Sequence, residues 1–228
     1  VTMPTGGLIS GQSAVVQYDG WNFDDLVFVP QLALEMSLPS KKIGEGQRRG
    51  RRFGPPSRES EEETPDKPKP ELSPYDTVMK LFEDTREYDR IKTEAAKRKV
   101  RGPDFDNQLE ALVPFARKEK PVVIRVRSAI DILDAIEFAK ELDIKAVLRD
   151  SGTESWKVAD QLAEANIPIL IGPITKSVSS EYDPYDTVYR LPARLHEAGV
   201  LFGFYSDSNT MARDLPLSAG LAVGYGLP

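Results

Sequence analysis

The chain has 228 residues, enough for one large domain or a piece of a larger one, with no cysteine and a formal net charge of −6 at pH 7. The missing thiols exclude disulfides and thiolate metal sites, and the negative charge argues against nucleic acid as a partner, because a phosphate backbone requires a basic face. No apolar run approaches the roughly 18 residues of a spanning helix, so we expect no membrane span.

Residues 6–18, GGLISGQSAVVQY, predict a turn rich in glycine and serine that enters a strand. Small side chains there would let the backbone approach another group closely, although a tight turn with a bulge is the simpler interpretation. A second apolar strand is predicted around VFVP, and Pro39 ends the segment that follows. We therefore interpret residues 1–39 as early strands of the fold joined to a Gly- and Ser-rich loop.

Residues 40–73 combine a basic block, an acidic block and repeated prolines with almost no apolar side chains. Such a composition cannot bury enough surface to fold by itself, so we expect a disordered, Pro-rich charged insertion. Its RRGRR tract could contact an anionic partner, but the EEE tract that follows so closely favours a self-neutralised, solvated linker.

Two helices are predicted next. Ser73 and Pro74 are typical of a helix start, and the apolar side chains of YDTVMKLFEDTREYDRIKTEAAKRK repeat at helical spacing. We expect Gly102 and Pro103 to stop this helix, and DNQLEALVPFARKE predicts a second one.

From residue 121 onward, strand and helix patterns alternate. Short β-branched runs predict strands at about 121–126, 145–149, 168–172 and 200–206, with amphipathic helices between them. This alternation predicts an α/β fold of parallel strands covered by helices, either a βα barrel or a doubly wound sheet. In both architectures, chemistry takes place where strands end and loops to helices begin.

Polar side chains cluster at these predicted strand ends. Arg125 and Arg127 share one strand face because they are two residues apart, and the cost of burying charge favours a polar mouth for them over the core. The predicted substrate-binding residues are Arg125, Arg127, Asp150 and Ser151. Two interpretations stay open: an anion- or carboxylate-binding pocket, or a network of salt bridges that closes the mouth.

Residues able to carry out catalysis are few. His196, the only histidine, falls late in a predicted outer helix, and we do not expect it to be catalytic. The G-x-S-x-G motif is absent. Asp207, at the end of the last predicted strand, is the best candidate, as a metal ligand or general base, although helix capping competes with that role.

Four sequence segments together resemble the amidohydrolase superfamily, and within it the imidazolonepropionase-like branch. They are GLISGQSAVVQYDGW, LEALVPFARKEKPVVIRVRSAIDILDAIEFAKEL, GTESWKVADQLAEANIPILIGP and AGVLFGFYSDSNTMARDLPLSAGLAVGYGLP. The resemblance covers most of the chain outside residues 40–73. It implies part of a (β/α)8 barrel, residues 74–228 being its C-terminal portion, that hydrolyses C–N bonds of cyclic amides with a hydroxide on a divalent metal, Zn or Fe.

The resemblance also implies site residues. It assigns Asp207 as the strand-eight metal ligand and proton acceptor, whereas Arg125 and either Asp150 or Ser151 stand where the family has metal-binding histidines. The family's H-x-H pair of strand one is not in these residues. Because the chain also opens without Met and stops directly after a helix, we expect a fragment that is inactive by itself.

Two functional hypotheses follow. The first is a metal-dependent hydrolase of C–N bonds, and the second is a non-catalytic binding or scaffold protein of the same fold. A nucleotide-binding open sheet is weakly supported, because no G-x-G-x-x-G lies between a strand and a helix. The expected partner is a small-molecule substrate, and a homo-oligomer is compatible with the sequence. The charge is typical of a soluble surface, and cytoplasmic and exported locations both stay open.

Overall fold

The computed structural model describes residues 1–17, 19–39, 72–178 and 181–228. The chain divides into two compact units, one formed by Val1–Leu38 with Val113–Pro228 and the other by Pro39–Leu112. The predicted charged insertion lies outside the described residues except at positions 72 and 73. None of the described helices is long and apolar enough to cross a membrane.

The described strands of the first unit form one sheet. In chain order they are β1 (Ile9–Val16), β2 (Val27–Ser37), β3 (Val122–Val126), β4 (Ala146–Asp150), β5 (Ile169–Ile171) and β6 (Phe202–Phe204). The helices of the described residues are α1 (Phe23–Leu26), α2 (Pro74–Arg98), α3 (Asn107–Ala116), α4 (Ala129–Glu141), α5 (Ala159–Ala165), α6 (Thr187–Glu197) and α7 (Leu215–Gly224).

The strand order decides between the two architectures that the sequence allows. The order is β1-β2-β3-β4-β5-β6, with β1 antiparallel to β2 and every later pair parallel. Parallel strands that follow one another without a reversal form the wall of a barrel, whereas a doubly wound sheet reverses its order at a switch point. The prediction of a partial (β/α)8 barrel is therefore confirmed.

Local sequence explains where the helices start and stop. At α4 the Ser128 hydroxyl accepts from the Asp131 N–H while the Asp131 carboxylate accepts from the Ser128 N–H, which makes a reciprocal capping box. The Ser73 hydroxyl caps α2 in the same position, with Pro74 as the first helical residue. This helix ends at Arg98, before the glycine and proline that the sequence indicated, because Lys99 turns into the left-handed region.

The register of the parallel strands sorts their side chains onto two faces. Met36, Ile124, Leu148 and Ile169 lie side by side across four strands, and each is fully buried. On the same face, Phe204 of β6 packs against the apolar cluster that contains Val188 of α6 and Ala222 of α7. The pleat directs the next residue of each strand to the opposite face, and Arg125 and Arg149 are two of these residues. One face of the sheet is thus an apolar core and the other carries charge.

Of the second unit, the structure describes Pro39 and residues 72–112, which include α2 and the start of α3. Within it, Glu110 accepts hydrogen bonds from the Tyr88 hydroxyl at 3.2 Å and from the Lys92 ammonium at 2.5 and 2.6 Å. These contacts fix the first turn of α3 against α2. The pKa of Glu110 is lowered, chiefly by the hydrogen bond from Lys92.

Gly152, directly after β4, is a position where no side chain fits. A Cβ added there would overlap the carbonyl oxygen of Arg127 and lie 2.9 Å from its carbonyl carbon. The loop after β4 therefore passes against the loop after β3 with backbone touching backbone. Beside it, the N–H and the hydroxyl of Ser151 donate to the Val126 carbonyl oxygen at 3.0 and 3.1 Å, which holds the ends of β3 and β4 together.

We predict that Gly152→Ala lowers the free energy of unfolding by about 1–3 kcal/mol, because backbone atoms must move apart to admit the methyl group. Gly220→Ala, in α7, is the matched control, since its Cβ meets nothing within 4 Å and alanine favours a helix by up to about 1 kcal/mol. Urea denaturation followed by circular dichroism measures both. Equal stability of the two variants would contradict the close approach.

Candidate functional site

A cavity opens at the carboxyl ends of the parallel strands, on the charged face of the sheet. Its volume is about 460 Å³. The residues that line it are Thr5, Arg125, Arg127, Arg149, Ser151, Tyr205 and Asp207. Apart from Thr5, all lie in or just beyond β3, β4 and β6. Of the residues that the sequence predicted for the site, the cavity brings together Arg125, Arg127, Ser151 and Asp207.

Arg149 forms the deepest charged contact beside this cavity. Its guanidinium lies 3.4 Å from the Glu35 carboxylate of β2, and the two residues are only 5% and 1% exposed. It also donates to the sulfur of Met3 at 3.4 Å and lies 5.7 Å from the centre of the Tyr205 ring. Burial raises the pKa of Glu35, and the positive charges of Arg149 and then Arg125 oppose that rise. The desolvation of this carboxylate therefore outweighs the attraction of its neighbours.

Arg125 stands between these two charges on the central strand β3. It is half-buried, and its Nε and Nη2 atoms are buried with no hydrogen-bond partner among the described residues. Burial lowers the pKa of this guanidinium, and the neighbouring charge of Arg149 lowers it further. Arg127, which directly follows β3, is exposed at the rim. The mouth thus offers one deep and one shallow guanidinium.

Asp207 lies on the opposite side of the mouth. The Lys176 ammonium donates to its Oδ2 at 2.9 Å and lies 3.5 Å from the Ser151 carbonyl oxygen. Asp207 has a φ of 60°, in the left-handed region, so the chain turns sharply as it leaves β6. The carboxylate that the resemblance assigns to a metal is here the acceptor of a salt bridge, and it is exposed to solvent.

Asp150 does not line the cavity with the other predicted residues. Its side chain belongs to the apolar face, together with Leu148, and is 0% exposed. Oδ1 accepts from the Gly152 N–H at 2.7 Å, while Oδ2 has no hydrogen-bond partner among the described residues. Burial raises its pKa, opposed by the Ser155 hydroxyl and the Gly152 N–H. Asp150 contributes to the mouth through its backbone, because its carbonyl oxygen accepts from the Tyr205 hydroxyl at 3.2 Å.

Tyr205 links these groups. Burial raises the pKa of its hydroxyl, with the negative charge of Asp207 as the next contribution, so the group stays protonated and keeps donating to the Asp150 carbonyl. Its ring faces the Arg149 guanidinium, a geometry that favours a cation. Arg149 therefore contacts both the carboxylate of Glu35 and the ring of Tyr205.

The donor set does not fit the divalent metal that the resemblance implies. No group of three His, Cys, Asp or Glu side chains comes together in the part of the chain that the structure describes. Asp207 is paired with Lys176, and three guanidiniums line the same cavity. His196 is exposed near the end of the outer helix α6. A cation would be repelled here, whereas an anion would be attracted.

Sequence reasoning missed Glu35, Arg149 and Tyr205. Glu35 is the one acidic residue in the apolar run LALEMS, and Arg149 interrupts the run AVLRD. A charge within an otherwise apolar strand is expensive to bury unless it is paired. The sequence therefore contained one signal for this ion pair: two charges of opposite sign, each within an apolar run that predicts a strand of the same sheet.

Comparison with known proteins supports the fold. Neither a protein-family model nor a curated protein sequence matches the chain. The chain is similar to the solved structure of an amidohydrolase from Thermotoga maritima MSB8, with a TM-score of 0.70 and 22% sequence identity over 96% of this chain. The match covers 53% of that protein, so the chain spans about half of its length. At this identity the likeness establishes an amidohydrolase-like fold.

The raised pKa of Glu35 predicts a pH dependence that a Glu35→Gln variant isolates. A carboxyl that binds its proton more tightly in the folded state adds stability as pH falls through its folded pKa and loses it as pH rises. The unfolding free energy of the wild type minus that of the variant should therefore decrease as pH rises from the ordinary carboxyl pKa of 4.5 through the raised pKa of Glu35.

Denaturant titrations between about pH 4 and pH 8 measure this difference. Glu137→Gln, which removes an exposed carboxylate from α4, provides the baseline. An increase of the difference with rising pH would mean that attraction by Arg149 outweighs the desolvation of Glu35, opposite to the inference.

Proposed function

We propose that the cavity binds a small carboxylate, and that this chain is the anion-binding part of an amidohydrolase-fold protein. The observation that carries the proposal is Arg125, a half-buried guanidinium that lines the cavity while two of its nitrogens lack acceptors among the described residues. A buried donor without an acceptor costs about 1–3 kcal/mol, and a bound anion would supply the acceptor. Binding of an anion is thus favoured by both charge and hydrogen bonding.

The chemistry of the guanidinium favours a carboxylate. A planar guanidinium presents parallel N–H groups that match the two oxygens of a carboxylate. The cavity of about 460 Å³ lies within the range of small-molecule sites. The Ser151 and Thr5 side chains at its wall can donate or accept further hydrogen bonds. These features support the carboxylate-binding hypothesis over a mouth closed only by salt bridges, because Arg125 and Arg127 have no ion-pair partner among the described residues.

Hydrolysis of C–N bonds is a second proposal. It is supported by the name of the structurally similar amidohydrolase and by the place of Asp207 beyond the end of β6. The more specific resemblance to imidazolonepropionase-like proteins rests only on the four sequence segments named above. In such an enzyme, the arginines would bind a carboxylate of the substrate. Its Zn or Fe would need donors other than those that the described residues bring together.

We expect Arg125→Gln to weaken the binding of propionate by about 10- to 100-fold, the loss of one charge-assisted contact worth roughly 1.5–3 kcal/mol. Isothermal titration of the full chain measures this. Arg213→Gln is the control, because Arg213 is 86% exposed and does not line the cavity. Unchanged affinity in Arg125→Gln, or an equal loss in both variants, would contradict the proposal.

Metal analysis separates the two proposals. We expect the purified chain to contain no stoichiometric Zn or Fe, and neither ion to raise its melting temperature, because a ligand of the folded state must raise it. One metal per chain that disappears in Asp207→Asn, together with turnover of a cyclic amide, would instead favour the hydrolase. The circular dichroism spectrum of Asp207→Asn verifies that it folds.

A further inference from the structure

The charges around the cavity do not cancel. Glu35 neutralises Arg149 at 3.4 Å, and Lys176 neutralises Asp207 at 2.9 Å. Arg125 and Arg127 have no ion-pair partner within the described ranges, although Glu35 also attracts Arg125 through space. The lining is therefore left with two positive charges that no described side chain balances by direct contact. A ligand with two negative charges would balance them.

These two charges lie at different depths. Arg125 belongs to β3 and Arg127 directly follows the strand, and both line the cavity. Because Val126 between them is extended, their Cα atoms are roughly 6–7 Å apart. Arg125 is half-buried, whereas Arg127 is exposed at the rim. A ligand that meets both therefore needs two anionic groups joined by a short spacer. A compact anion such as phosphate places all its charge at one point and would contact one of the two.

We infer that the cavity recognises a short aliphatic dicarboxylate, with one carboxylate on Arg125 and the other on Arg127. This inference rests on the proposed function, because it requires that the cavity binds carboxylates at all. Arg127 then determines specificity: it contacts only the second carboxylate. Arg125 provides the contact that monocarboxylates and dicarboxylates have in common.

Isothermal titration of the full chain with succinate, glutarate, propionate and inorganic phosphate at fixed ionic strength tests the inference. We expect succinate or glutarate to bind at least about 10-fold more tightly than propionate, the effect of one additional charged contact. In Arg127→Gln this preference should fall to about 3-fold or less, so that succinate and glutarate lose more affinity than propionate does. In Arg125→Gln the affinity for both should fall. Arg127→Lys, which keeps the charge, should retain most of the preference.

The titrations distinguish failure of the dicarboxylate inference from failure of the proposed function. If propionate and both dicarboxylates bind the wild type equally, or if Arg127→Gln keeps the preference, the dicarboxylate inference is wrong and the carboxylate site stands. Tighter binding of phosphate than of any carboxylate also overturns the inference. If no carboxylate binds a chain whose circular dichroism spectrum and cooperative melting verify its fold, the proposed function itself is wrong.

Discussion

The charged face of the sheet depends on the buried ion pair between Glu35 and Arg149. These residues belong to β2 and β4, so the pair reaches across β3, where Arg125 stands between them. Removing such ions from water costs several kcal/mol each, which a pair recovers only with good geometry and further contacts. Arg149 gains those contacts from Met3 and Tyr205. Without Glu35, two guanidiniums on adjacent strands would repel each other at the base of the cavity.

The same arrangement decides which ligands the mouth favours. Glu35 forms an ion pair with Arg149, and Lys176 forms one with Asp207. The remaining charge of the lining is therefore that of Arg125 and Arg127. With an effective dielectric constant of about 20, a divalent cation about 6 Å from one guanidinium would be repelled by roughly 5 kcal/mol. A carboxylate at that distance would be attracted by about half as much. The sign of the potential therefore opposes the metal that the resemblance implies and favours an anion.

Much of the fold could be predicted because it follows from periodicity. The β-branched runs and the amphipathic segments between them indicate strands and helices directly, and the capping residues Ser73 and Ser128 mark helix starts. What periodicity cannot give is the order of strands in the sheet, which depends on long-range pairing. The choice between a barrel wall and a doubly wound sheet therefore needed the structure.

The site was harder to predict because it depends on the face of the sheet to which each side chain is directed, as well as on where the residue lies along its strand. Asp150 and Arg149 are neighbours at the end of one strand, yet the pleat directs Asp150 to the helix side and Arg149 to the cavity. Both residues end β4, so their position along the chain predicts that both reach the mouth. The strand pairing distinguishes them, because Arg149 pairs with Arg125 and shares its face, whereas Asp150 pairs with Val126. The cost of burying charge gives the same answer: Asp150 is tolerated among apolar groups because its Oδ1 accepts from the Gly152 N–H and burial favours its neutral form. A guanidinium has no accessible neutral form, so Arg149 requires both the carboxylate of Glu35 and the charged side of the sheet.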